Sequence, residues 1–519
     1  MLLGNFAGQL LDEETFHHEQ TYAQSIKTFF KNNALSIATC PDIDENFHVE
    51  AKQQKANIHQ MLSCDFKEQT SAKFRSEQII LEPSFFSDMM GMQGRMDFLN
   101  LNYRIVIEQK SGKCQWRPGA KDHEYVGKKE SHYVQLLLYR ALLHYDYKQL
   151  SADDMQSFLL YSRYAHGLDM ATSAPTLLFD AIKIRNQLAW CQQWYAQGGA
   201  RVLETLTPEQ IYPKAHGPLW QRFKRPQIMD VLGPIQSASA LEKAYYARFM
   251  QFIANEQALS KIGNRTKENA GFAATWNCSI EEKREAGNIF ENMELDTSSL
   301  TSNEVKDVRF VLKTNGSDHT ADLSNFRRGD IAFFYPYSKG TLPDATSIMV
   351  FRCSITELTA NHVNVRLRNA QTSRHIFEYF NDKVWAMEHD FLDSSYNAQY
   401  RGLQAFLSAP QVRRNLLLGQ QEPRIDRSIQ RIGEYGNEEF NTLVGHAMQA
   451  RDLYLIIGPP GTGKTSYGMK NLLVEELQHK GSNVLLLSYT NRAVDEICSK
   501  LLEIDGLDFI RIGSDYSCE

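Results

Sequence analysis

Two stretches of this chain carry residue types at spacings that could do chemistry. The first is Gly458-Pro459-Pro460-Gly461-Thr462-Gly463-Lys464-Thr465, which fits Gly-x-x-x-x-Gly-Lys-[Ser/Thr]. Set between a strand and a helix, the backbone N–H groups of such a loop wrap an anion. Lys464 reaches the β- and γ-phosphates, and the Thr465 hydroxyl holds Mg²⁺. This reads as a site for a nucleoside triphosphate, ATP with Mg²⁺. The second stretch contains Asp97, Glu108 and Lys110, then Gln135 and Tyr139. Two carboxylates and a lysine on one sheet face are the parts for metal-dependent phosphodiester hydrolysis. The acids hold Mg²⁺ or Mn²⁺, and the lysine steers water or stabilises developing charge.

The elements that must position these residues are legible. Leu453-Tyr-Leu-Ile-Ile457 reads as a buried parallel strand ahead of the glycine loop, and Ser466 to Gln478 as the helix behind it. Val484 to Leu487 and Phe509 to Ile512 are the next candidate strands. Gly94 to Leu99 alternates as a strand, Asn100-Leu-Asn102 turns the chain, and Tyr103 to Lys110 returns as a β-branched strand. Glu108 and Lys110, two apart, project from the same face. The apolar segment Tyr133 to Leu143 reads as a helix, where i, i+4 spacing places Gln135 and Tyr139 together. Leu159 to Tyr164 suggests a further strand, and Ala181 to Ala189 a closing helix.

The order Gly94-x-x-Asp97, Glu108-x-Lys110, Gln135-x-x-x-Tyr139 resembles the RecB-like branch of the PD-(D/E)xK nucleases. That resemblance implies that Asp97, Glu108 and Lys110 are catalytic and that Gln135 and Tyr139 orient the site. It also implies that Glu82 and His59 are an additional acid and histidine at the metal. Many relatives in that branch carry an iron–sulfur cluster on four cysteines. Here only Cys191 lies downstream within reach, so no cluster is expected. After the second candidate strand, Ser488-Tyr-Thr490-Asn491-Arg-Ala-Val-Asp495 resembles motif Ia of superfamily 1 helicases of the RNA-surveillance and flap-processing type. By that resemblance Thr490 and Asn491 touch a single strand. The same run also suits an ordinary helix start capped by Thr490 or Asn491. Such helicases carry a Gln some seventeen residues before the glycine loop that reads adenine, and Asn441 holds that place here.

Composition sets the outer limits. The 519 residues suggest three or four domains, and 42% apolar residues with 28 Phe and 23 Tyr suffice for packed cores. A net charge of −6 argues against nonspecific coating of nucleic acid, without excluding a local basic groove. Eight cysteines without a C-x-x-C pair read as reduced thiols. With no run of eighteen apolar residues and no basic leader before a long apolar one, the expected location is cytoplasmic, with no membrane partner.

The expected fold class is multidomain α/β. A nuclease domain occupies 1–200, a helical connector 201–304, a small β-barrel 305–372, a helical stalk 373–435, and the start of a RecA-like domain 436–519. The barrel rests on Val308 to Leu312 before Asn315-Gly316, Gly329 to Tyr335, Ile348 to Ile355 and Val363 to Arg368. Trp385 to Ser408 reads as the stalk helix. Neither strand after the glycine loop ends in the acidic pair of a Walker B motif, so the chain is expected to be the front part of a longer protein, poor at ATP hydrolysis alone.

The whole order resembles the helicase–nuclease family that processes replication flaps, in a bacterial-looking form. The resemblance implies an ATP-dependent helicase with Mg²⁺-dependent deoxyribonuclease activity in replication or repair. Its partners would be single-stranded or flap DNA and a single-strand-binding protein. Two other readings stay open: a helicase whose nuclease-like domain only binds RNA or DNA, and a nucleic-acid-binding adaptor in a defence or repair complex.

Overall fold

The computed structural model describes residues 2–16, 20–40, 43–70, 76–147, 154–212, 215–264, 271–312, 324–390, 394–479 and 483–513. They form two compact units. One comprises 1–197 with 252–395, the other 198–251 with 396–519. The expected turn at Asn315-Gly316 lies outside the described residues.

In the first unit, β1 (Ile79–Leu81), β2 (Ser84–Ser87), β3 (Met92–Arg95), β4 (Phe98–Asn100), β5 (Ile105–Lys110), β6 (Gln156–Tyr161) and β7 (Leu168–Met170) precede the barrel. Five of them make one sheet in the order β1-β4-β5-β6-β7, while β2 and β3 pair separately. Only β5 and β6 run parallel, so a crossover must join them. The helix Glu130–Asp146 is that crossover. Alternation along the strands supplies two cores. Leu99, Val106 and Leu159 face Leu136, Leu142 and Leu143 of the crossover helix. Phe98, Ile105, Ile107 and Phe158 face Phe6, Leu10, Phe29 and Phe47 of the N-terminal helices. A strand buried on both faces must be apolar throughout, and Ile105-Val-Ile107 is.

The barrel is closed by β8 (Ile289–Leu295), β9 (Val305–Val311), β10 (Ile331–Ser338), β11 (Phe351–Leu358), β12 (His362–Gln371) and β13 (Lys383–His389), in the order β10-β11-β12-β9-β8-β13. Two of these strands fall outside the expected span 305–372. Trp385, expected to open a helix, sits instead in β13 at 1% exposure, ringed by Phe310, Phe334, Phe351 and Phe377. Burial of so large a ring in the barrel core outweighs the local helical pattern. The helix itself runs Ser394–Ser408. In this unit the barrel meets the β2–β3 pair at an isolated bridge, Ser84 to Val350, and meets β1 of the sheet through Gln371, whose amide exchanges bonds of 2.9 and 3.0 Å with the Leu81 backbone.

The second unit is helical where described. Arg225–Ser237, Gln411–Leu417, Glu438–Gln449, Lys470–Gln478 and Asn491–Leu501 are its regular elements of seven residues or more that lie wholly within it, beside Ser394–Ser408, which begins at the unit boundary. The strands expected at 453–457, 484–487 and 509–512 are not formed. A strand exists through its ladder partners, and none of these segments has one among the described residues. Leu455 is 74% exposed, Ile457 95% and Leu487 78%. Among the described residues no helix is long and apolar enough to cross a membrane.

Candidate active site and nucleotide loop

The hairpin β4–β5 and the crossover helix bring five of the expected residues together. Phe98 pairs with Ile107, so Asp97, in the bend between β3 and β4, stands beside Glu108 and Gln109. Gln109 N donates to Asp97 Oδ2 at 2.8 Å. Glu108 and Lys110 lie on the β5 face that meets the helix. Lys110 Nζ donates to Glu108 Oε1 at 2.7 Å and to Gln135 Oε1 at 2.9 Å. Gln135 Nε2 donates to the same Glu108 oxygen at 2.8 Å and to the Tyr139 hydroxyl at 2.9 Å. Tyr139 in turn donates to the Arg95 carbonyl at 2.5 Å. Gly94 makes this closure possible, since a Cβ there would stand 3.1 Å from the Tyr139 ring. The result is a cavity of about 450 Å³ lined by Gln93, Arg95, Asp97, Glu108, Gln135 and Tyr139, among others.

The electrostatics suit a cation. Glu108 is 3% exposed, and its Oε2 is buried without a hydrogen-bond partner. Burial pushes Glu108 up, and the nearby Asp97 charge pushes it further, against the pull of Lys110. Asp97 is likewise raised by burial. Two acids that resist joint ionisation are relieved by a divalent ion between them. Among the described residues no three His, Cys, Asp or Glu side chains are grouped to hold a metal. An ion at Asp97 and Glu108 would have two carboxylate ligands from this chain and would need water or phosphate to complete its shell, which Mg²⁺ tolerates.

The remaining expected residues are placed differently. His59 does not line the cavity; its exposed ring pairs through Nδ1 with Glu14 Oε1 at 2.5 Å. Glu82 is turned to Arg95, with Oε2 2.7 Å from Nε, on a left-handed backbone of φ 53°. Two residues missed in the sequence also bear on the site. Asp12, on the first helix, is raised by burial and by the charges of Glu82, Asp97 and Glu13. His132, one turn ahead of Gln135, is pushed down to about 4 by burial and by Lys110 and Lys129, and its Nδ1 meets the Tyr161 hydroxyl at 2.9 Å. The signal for Asp12 was present: the acids Asp12-Glu-Glu14 interrupt a helix whose Leu10, Leu11 and Thr15 are buried.

In the second unit, Gly461 and Gly463 adopt φ of 80° and 79°, as the loop requires. A Cβ on Gly458 would meet Lys464 Cγ at 2.8 Å. Lys464 Nζ donates to the carbonyls of Gly458 and Pro459, the latter at 2.8 Å, so the ammonium lies over its own loop. The helix behind opens with a wide turn, Lys464–Met469, before the α-helix Lys470–Gln478. Thr490 caps Asn491–Leu501 by accepting from Ala493 N at 3.2 Å. Asn441 is buried, and both ends of its amide are engaged, with Tyr435 N and Glu434 Oε2, each at 2.7 Å.

Parts of this chain are similar to known proteins. A DNA replication ATP-dependent helicase/nuclease of Arabidopsis thaliana is 28% identical over 31% of this chain and 13% of its own length. One from Gallus gallus is 24% identical over 47% of this chain and 24% of its own. An uncharacterized ATP-dependent helicase of Methanocaldococcus jannaschii is 34% identical over 19% of this chain and 15% of its own. The chain thus spans less than a third of the length of each of these relatives. Residues 436–518, which include the glycine loop, match the family model described as an AAA domain.

Proposed function

We propose that this chain couples an ATP-driven helicase module to metal-dependent cleavage of single-stranded DNA, in replication or repair. The observation that carries the reading is the closed network Lys110–Glu108–Gln135–Tyr139 beside Asp97, which leaves one buried carboxylate oxygen turned to no protein donor. A divalent cation at Asp97 and Glu108 would supply an acidified water and charge for the phosphate. Lys110 offsets the negative charge that builds as the P–O bond breaks. Gln135 holds Lys110 and Glu108 in register, and Tyr139 anchors Gln135 to β3. In the other unit, the loop Gly458–Thr465 binds the triphosphate and Thr490 and Asn491 touch the strand. The names of the relatives, DNA replication helicase/nucleases, support this pairing of activities.

The test is Asp97→Ala. Its side chain is only half-buried in a polar cleft, so the fold should survive. Cleavage of an unstructured single strand in Mg²⁺ should fall by about 10³-fold or more, with a matching loss of Mn²⁺ affinity by calorimetry. Wild-type cutting by this variant would remove the site.

A further inference from the structure

The mouth of the cavity is more basic than the sheet alone makes it, and the added charge comes from the barrel. Strands β11 and β12 pair antiparallel with Cys353 opposite Leu367 and Ser354 opposite Arg366. One more step in that register sets Arg352 across from Arg368 on the outer face, since Cys353 and Leu367 point into the core. Like charges opposite each other on neighbouring strands oppose folding, so their placement calls for another reason. Both belong to the seam with the cleavage cavity. Gln371, three residues beyond Arg368, is bonded to the backbone of Leu81, and Leu81 adjoins Glu82. Glu82 pairs with Arg95 and also feels the charge of Arg368. Arg352 donates to Gln93, a wall residue of the cavity, and feels both Arg95 and Arg368. It is further fixed by Asp390 at 3.4 Å and by the Phe86 ring, 5.8 Å away. Arg95 and Arg368 are exposed.

We propose that Arg95, Arg352 and Arg368 form a phosphate-binding rim, built jointly by the sheet and the barrel, that grips the backbone of a single strand beside the bond to be cut. The proposal rests on the reading of Asp97 and Glu108 as the cleavage centre. A cavity floored by two acids repels a polyanion, and three guanidiniums at its edge reverse that sign where the strand enters. Their forked donors match phosphate oxygens, which carry no base identity, so the rim holds any sequence. Arg352 is the fixed post, while Arg95, paired with Glu82, and Arg368 present exposed side chains to an arriving phosphate.

The experiment uses the whole chain with Ca²⁺ in place of Mg²⁺ and a fluorescein-labelled oligothymidylate of fifteen nucleotides, read by anisotropy across a salt series. Arg368→Gln should bind roughly 5-fold more weakly, with a salt slope smaller by about one. Arg368→Lys should recover most of the affinity, because a phosphate contact needs the charge. In Mg²⁺ the loss from Arg368→Gln should appear in KM rather than kcat. An unchanged melting temperature separates this from misfolding, which the exposed position does not favour. Wild-type affinity and slope in Arg368→Gln would overturn the rim. Wild-type cutting by Asp97→Ala would instead overturn the cleavage reading beneath it, in a separate assay.

Discussion

The cavity around Asp97 and the loop at Gly458–Thr465 differ in what holds their working side chains. In the first, the polar groups interlock across strand and helix: a strand lysine is held by a helix amide, that amide by a phenol one turn along, and the phenol by a backbone carbonyl of β3. In the second, Lys464 turns back on its own loop, and the apolar run ahead of it has no ladder partner among the described residues. A hairpin and one crossover helix are enough to close a two-carboxylate site. A loop between strand and helix takes its position from the strand, and a strand takes its position from its neighbours.

The largest expected effects divide the two regions cleanly. Lys110→Ala should lower single-strand cleavage by about 10³-fold and leave nucleotide affinity unchanged. Lys464→Ala should weaken binding of a fluorescent ATP analogue by about 10²-fold, while cutting of a short unstructured strand continues. The comparison breaks if Lys464→Ala also abolishes short-strand cleavage, because the loop would then be gating the cavity.

The contrast also explains what could be read in advance. Asp97, Glu108, Lys110, Gln135 and Tyr139 were legible because their geometry is local: a hairpin places the acids, and i, i+4 spacing on one helix places the amide and phenol. Their order along the chain, not any single residue, carries the signal. Where long-range packing decides, the local pattern misleads. Trp385 has helical neighbours in sequence yet completes the barrel, and β8 closes that barrel from a segment with no alternating signature of its own. Glu82 and His59 are expected at the metal only through the family resemblance. Their partners, Arg95 and Glu14, are set by how distant elements dock, which spacing does not encode. The segment Leu453–Ile457 is the opposite case: its composition is that of a strand, and composition cannot supply a partner.

An intermediate effect tests how the second unit holds its loop at all. Glu475, fully buried on the helix behind the loop, accepts from Ile432 N at 2.6 Å, Gly433 N at 2.9 Å and the Tyr435 hydroxyl at 2.7 Å. These bonds hold its carboxyl below the usual range against the upward push of burial. A depressed folded pKa means stability that is present above the unfolded value, about 4.3, and lost as pH falls through the folded one. Glu475→Gln turns an amide donor toward existing donors and should cost about 3 kcal/mol at pH 7. Denaturant titration should show the gap to wild type closing below about pH 4. A constant gap down to pH 2 would mean that the carboxylate charge is not what pins residues 432–435.

The smallest effect sharpens the comparison most, because it uses the same substitution in both regions. Tyr139 donates to the Arg95 carbonyl and accepts from Gln135, so its hydroxyl links the crossover helix to β3. Tyr139→Phe keeps the ring against Gly94 and removes only that link. The expected cost is about 1 kcal/mol in stability and roughly 10-fold in cleavage, the amide losing one of its three bonds. Gln135 would remain on Glu108 and Lys110, so the loss should fall in kcat. Tyr467 follows the glycine loop and stacks on Phe440 with ring centres 5.6 Å apart. Tyr467→Phe keeps that stack and should change neither stability nor nucleotide affinity. Equal losses at the two tyrosines would mean that the hydroxyl at 139 is only another surface contact. A loss at 139 alone would show that the cavity depends on an interlocked chain of side chains, which the nucleotide loop lacks.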